Sequence, residues 1–184
     1  KMIIGAVVLA GVVAAGAYGF IAQQNAQREK ERAEYDKTLA SANKERVILE
    51  KETSYPIQSR DHVGANQPHE AFTTNPPTSG PHSAPARGGF FSGEVTDEQA
   101  IHNLEHGYVW LTYKNIPSWQ IDEIEALAKK YAGRVVASER PDNETNGVIL
   151  VAWGKMLTLS KFDEKIAEAF IARNYNQSPE RLAR

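Results

Sequence analysis

The sequence predicts an α+β fold: an N-terminal transmembrane helix and helical stalk, then a two-layer α/β sandwich with a small sheet and helices on one face. Three observations predict it. An uncharged apolar run opens the chain, a charged stretch without proline or glycine follows, and from residue 108 the hydrophobic period alternates in the order β-α-β-β-α. The division expected is residues 1–22 as anchor, 23–54 as stalk and 55–184 as the α+β domain, with a Pro-rich loop over 55–95.

The run from Met2 to Ala22 carries no charge. At about 1.5 Å per residue it is long enough to cross a hydrocarbon core of roughly 30 Å. A cleaved signal peptide has a shorter apolar core, about 7 to 15 residues, and a better cleavage site than Ala22 offers. Lys1 precedes the run, while Arg28, Lys30 and Arg32 follow it among Glu29, Glu31 and Glu34, so positive charge does not set the orientation. A short N-terminal flank and a large domain without cysteine predict a single-pass protein of the cell membrane with its domain outside the cytoplasm. Its expected partners are the lipid bilayer and, for an accessory subunit, other membrane proteins.

Residues 23–52 are rich in Ala, Glu, Lys, Arg and Gln, with opposite charges at helical spacing such as Arg46 and Glu50, which predicts a solvated helix. Leu39, Val47, Ile48 and Leu49 are too sparse for a coiled-coil seam. Prolines at 56, 68, 76, 77, 81 and 85 then forbid regular helix and predict a long loop, which Phe72, Phe90 and Phe91 can pack. Thr96 with Gln99 forms a capping box for a short helix that Gly107 closes. Tyr108 to Tyr113 reads as a strand, Ser118 to Tyr131 as an amphipathic helix, and Arg134 to Ser138 as a second strand. Val148 to Trp153 is apolar throughout, as in a strand covered on both faces. Ser160 and Asp163 start a last helix that turns Phe162, Ile166, Ala169 and Phe170 to the core.

Composition removes some functions. Twenty-one basic against twenty-three acidic residues leave a net charge of −2 and no basic stripe, so no nucleic-acid partner is expected. Cysteine is absent, which excludes disulfides, thiolate metal sites and thiol catalysis. Any metal is therefore held by nitrogen, oxygen or a thioether, and Met156 is the only methionine beyond the N-terminal run.

The histidines carry what chemistry the sequence shows. His102 and His106, in AIHNLEHGYVW, stand four apart and on a helix present two imidazoles to one side. That pair alone also fits an exposed polar face. His82, in NPPTSGPH, lies on a backbone stiffened by proline and is the third candidate ligand; His62, in RDHVG, is the fourth, and His69 the first to leave out. The string HNLEH also matches H-x-x-E-H, in which two histidines hold zinc and the glutamate activates water, so Glu105 is the catalytic candidate of a zinc-dependent hydrolase. Against it, the helix is short and stops at Gly107.

NPPTSGPH, then HNLEHGYV, then a strand ending in AWG and a helix containing FIARN resemble the bacterial and archaeal domain-of-unknown-function 3105 family, over roughly Tyr55 to Pro179. The resemblance implies an N-terminal membrane anchor and one shared site built from His82, His102 and His106, without naming a reaction. Three imidazoles with an open position suit copper or zinc, and copper has the higher intrinsic affinity for nitrogen ligands. The function expected is extracytoplasmic metal binding, with copper handling foremost. The alternatives are a metal-free accessory subunit of a membrane complex and the hydrolase.

Overall fold

The computed structural model describes residues 19–35, 37–38, 40–41, 44, 48 and 51–184. The chain divides into two units, residues 1–44 and 45–184. In the first, residues 19–35 are helical and exposed, with Gln27 donating to Glu31 across one turn at 2.9 Å. Among the described residues no helix is long and apolar enough to cross a membrane. Residues 2–18 of the span predicted over 2–22 lie outside them.

The second unit is mixed α+β. Its elements are β1 (Thr53–Ser54), β2 (Gly89–Phe90), α1 (Asp97–Glu105), β3 (Val109–Lys114), α2 (Ser118–Lys130), β4 (Val135–Glu139), β5 (Gly147–Ala152), β6 (Lys155–Leu159) and α3 (Glu164–Asn174). The six strands form one sheet in the order β1-β6-β5-β3-β4-β2. β3 and β4 run parallel, as a strand–helix–strand connection requires, whereas β5 pairs antiparallel with both β3 and β6. Both edges are strands of two residues, too short to template pairing with another chain.

Residues alternate across the sheet. Val109, Leu111, Tyr113, Val135, Ala137, Val148 and Leu150 face one way, into a core completed by Ile124, Leu127, Ile166, Phe170 and Ile171 of α2 and α3. Trp110, Val136, Ile149 and Val151 face the other way, against Ala100, Ile101 and Leu104 of α1, with Phe72 and Phe91 of the Pro-rich loop packed alongside. This corrects the predicted two-layer sandwich with helices on one face. The sheet is covered on both faces, and the second layer combines one short helix with irregular chain.

The element order needs a smaller correction. β6 was not expected, and the sequence from residue 109 runs β-α-β-β-β-α. Trp153 and Gly154 form a two-residue turn between β5 and β6, with Gly154 at φ +69°, a conformation that favours glycine.

Candidate metal centre

Thr96 caps α1 by accepting from the Gln99 amide, and Ala100, Ile101 and Leu104 bury its apolar side. The neighbouring side carries His102, Glu105 and His106, three and four residues apart. Asn103 fixes the adjoining chain: its Oδ1 accepts from Ala86 N at 3.0 Å and its Nδ2 donates to Ala86 O at 2.9 Å. Gly107, at φ +93°, ends the helix, and a Cβ there would stand 2.3 Å from Asn176 Oδ1. The C-terminal segment then covers the helix end, with Glu180 N donating to Glu105 O and Leu182 N to His106 O.

The Pro-rich loop is ordered and sealed. Residues 76–82 are all buried although none belongs to a helix or a strand of the sheet. Their backbone leans on the sheet through Gly154 N donating to Thr78 O at 3.0 Å. His82 N donates to Asp61 O and Val63 N to His82 O, a parallel bridge that sets His62 beside His82 with ring centroids 4.5 Å apart.

Four potential donors converge here: one atom each from His62, His82, His102 and Glu105, all within 4.8 Å of one another. Donors on opposite sides of an ion with bonds of about 2.1 Å stand roughly 4.2 Å apart. The set therefore matches ion size after a small inward movement.

Backbone partners select the tautomers. His82 Nδ1 lies 2.8 Å from Gly80 O and His102 Nδ1 lies 2.6 Å from Ser83 O. A carbonyl only accepts, so each Nδ1 carries the proton, and each neutral ring is left with a lone pair on Nε2. His82 Nε2 stands 3.1 Å from Glu105 Oε2, both side chains are fully buried, and neither atom has a hydrogen-bond partner among the described residues. Two buried lone-pair atoms facing each other are costly unless a proton or a metal ion lies between them.

Glu105 also sits in the last turn of α1, where the helix dipole disfavours negative charge. Arg60 compensates in part, its Nε donating to Glu105 Oε1 at 2.5 Å. Burial alone would push the Glu105 carboxyl up; the Arg60 hydrogen bond, with the charge of Arg60 and those of His82 and His62 when protonated, reverses this and holds it below the usual carboxylate range. Burial pulls His102 below the ordinary histidine range. Its bond to Ser83 opposes that, and the adjacent His106, His82 and His62 add to it.

His106, a predicted ligand, stands outside the four-donor group. Its Nε2 lies 3.1 Å from His102 Nε2 and 3.1 Å from Glu180 Oε2. His69 is elsewhere, paired with Glu98 at 3.1 Å. Met156 packs in the apolar cluster beneath.

The model of the family described as "Protein of unknown function (DUF3105)" matches residues 62–184. The chain belongs to the DUF3105 family. Neither the curated proteins nor the solved structures yield a match. The DUF3105 region begins at His62 and so contains every donor of the cluster.

Two parts of the site in this chain were not visible in the sequence. One is the pair Arg60 and Glu180, joined at 3.6 Å, which reaches the cluster from distant positions. The other is Arg140, a buried brace: it grips both carboxylate oxygens of Asp97 at 2.8 Å and donates to Asn75 at 2.5 Å and Asn143 at 3.1 Å. It ties the start of the His102 helix to the loop that carries His82. A lone arginine in ERPDN gives no sign of such a role.

Proposed function

We propose that this DUF3105 chain binds one divalent transition-metal ion, copper or zinc, through His62, His82, His102 and Glu105. The observation that carries the reading is the meeting of His82 Nε2 and Glu105 Oε2, buried, 3.1 Å apart and without a hydrogen bond among the described residues. A cation between them turns that repulsion into attraction.

Three imidazoles and a carboxylate complete a four-coordinate set, whereas hydrolytic zinc sites keep a position open for water. Glu105 has one oxygen on Arg60 and the other turned to His82, so it is poorly placed to take a proton from water. The set therefore suits holding and releasing an ion more than hydrolysis. It contains no sulfur, so it suits copper(II) or zinc over copper(I). We place the domain outside the cytoplasm on a single-pass anchor. The uncharged run over residues 2–22 and the absence of cysteine support that reading.

Metal analysis of the purified full chain tests the binding. About one ion per chain is expected, with affinity at least about tenfold lower in His82→Ala or Glu105→Gln; a wild-type chain that takes up neither copper nor zinc overturns the reading. Fractionation of expressing cells, with protease added from outside, tests the location. Recovery of a protected or water-soluble domain overturns it.

A further inference from the structure

His102 faces two sets of partners. On one side are His62, His82 and Glu105; on the other, His106 Nε2 at 3.1 Å, itself 3.1 Å from Glu180 Oε2. Within the second set one hydrogen faces two acceptors, and Glu180 Oε1 also meets Arg60 Nη2 at 3.6 Å. With the His102 proton on Nδ1, its Nε2 only accepts, and so does the Glu180 carboxylate. The single hydrogen that His106 Nε2 can carry serves one of these acceptors and leaves the other facing a donor already committed. A cation beside His106 Nε2 can take the place of that hydrogen and engage either neighbour. The sets differ in depth at their carboxylates: the Glu105 side chain is 0% exposed and that of Glu180 33%, while His62 stands at the rim of the first set, 60% exposed.

We propose that His102 is shared by two ion positions, the buried one described above and an outer intake position formed with His106 and Glu180. The inference rests on the metal-binding reading and adds the route. A divalent cation is first held by His106, Glu180 and His102. It then exchanges ligands, keeping His102 while His62, His82 and Glu105 replace the outer pair. An imidazole Nε2 has one lone pair, so the positions are filled in turn and never together. The transfer moves no electrons. The carboxylate lost at Glu180 is replaced by that of Glu105, so the ion keeps one anionic ligand throughout.

The test uses the full chain, with zinc as the probe and a fluorescent chelator reporting the free ion. His106→Ala with Glu180→Gln is expected to slow loading and release by the same factor, about tenfold or more. Glu180→Gln alone, which keeps the histidine, is expected to slow both to a lesser degree. With the buried position disabled by His82→Ala, a weaker site is expected to remain, about 10- to 100-fold poorer than wild type, and to vanish when His106→Ala is added. Loading of the double variant at the wild-type rate, or no residual site in His82→Ala at millimolar zinc, overturns the relay while leaving the metal-binding reading intact. A wild-type chain that binds no zinc or copper overturns both.

Discussion

The two faces of one sheet are built for different ends. On the side of α2 and α3 the packing is mainly apolar, from Leu111 to Phe170, with buried Gln120 accepting from Phe162 N at 2.7 Å. On the side of α1, the apolar patch of Trp110, Val136, Ile149 and Val151 is a platform beneath a layer holding buried His82, Asn103, Glu105 and Arg140. Consecutive residues of the same strand therefore serve the fold and the site by turns. Burying these polar groups gains less stability than packing hydrocarbon would. The first face contributes most of the stability, and the second spends part of it to hold chemistry in place.

Substitutions can break or sharpen this contrast. The largest stability loss is expected from Phe170→Ala on the apolar face, about 3–5 kcal/mol by urea unfolding, with metal affinity retained while the chain stays folded. Loss of ion binding under native conditions would contradict the division between faces. Arg140→Met comes next, at about 3 kcal/mol, because Asp97 and Asn75 lose their partner; here affinity should fall as well. Asn103→Ala is expected to cost about 1–2 kcal/mol through its two lost bonds to Ala86. Glu105→Gln should leave the metal-free unfolding midpoint near that of wild type, since the Arg60 side chain it releases is half exposed. It should also reduce the rise in melting temperature that a fixed concentration of copper or zinc gives the wild type.

The smallest effect is one of pH. The backbone oxygen of Glu70, and then Glu98, hold His69 above the ordinary histidine range. Burial pushes Glu98 up, but its hydrogen bonds to His69, its own backbone and Thr96 bring it below the usual range. A raised histidine stabilises the fold below its unfolded pKa, and this is lost as pH rises through the folded value. A depressed carboxylate stabilises above its unfolded pKa, and this is lost as pH falls through the folded value. The pair thus contributes most between the two ordinary values, about 4.5 and 6.5. His69→Gln should lower the melting temperature slightly at pH 5.5 and hardly at pH 9, and an NMR titration should find His69 above the ordinary value.

Much of the fold was legible because hydrophobic period reports local structure. Tyr108–Tyr113, Ser118–Tyr131 and Val148–Trp153 each differ by a residue or so at either end from the elements formed. The apolar run of β5 already called for cover on both faces, yet that cover comes largely from proline-rich chain, which has no period to read. β1 and β2 are two residues each and leave no pattern. At the centre, residue type and spacing singled out His82 and His102. The string HNLEH offers Glu105 only as the base of an alternative hydrolase, because sequence cannot show that its second oxygen turns toward His82 in the interior. Arg60 and Glu180 depend on long-range closure, which no local signal encodes.

The sealed, irregular stretch over residues 76–82 has a consequence for how this protein behaves on heating. Its carbonyl at Thr78 is held by the turn between β5 and β6. The imidazole that follows keeps its place only while those strands hold together. Local breathing gives this segment little freedom of its own, so cargo and tertiary structure are expected to be surrendered in one cooperative melting step.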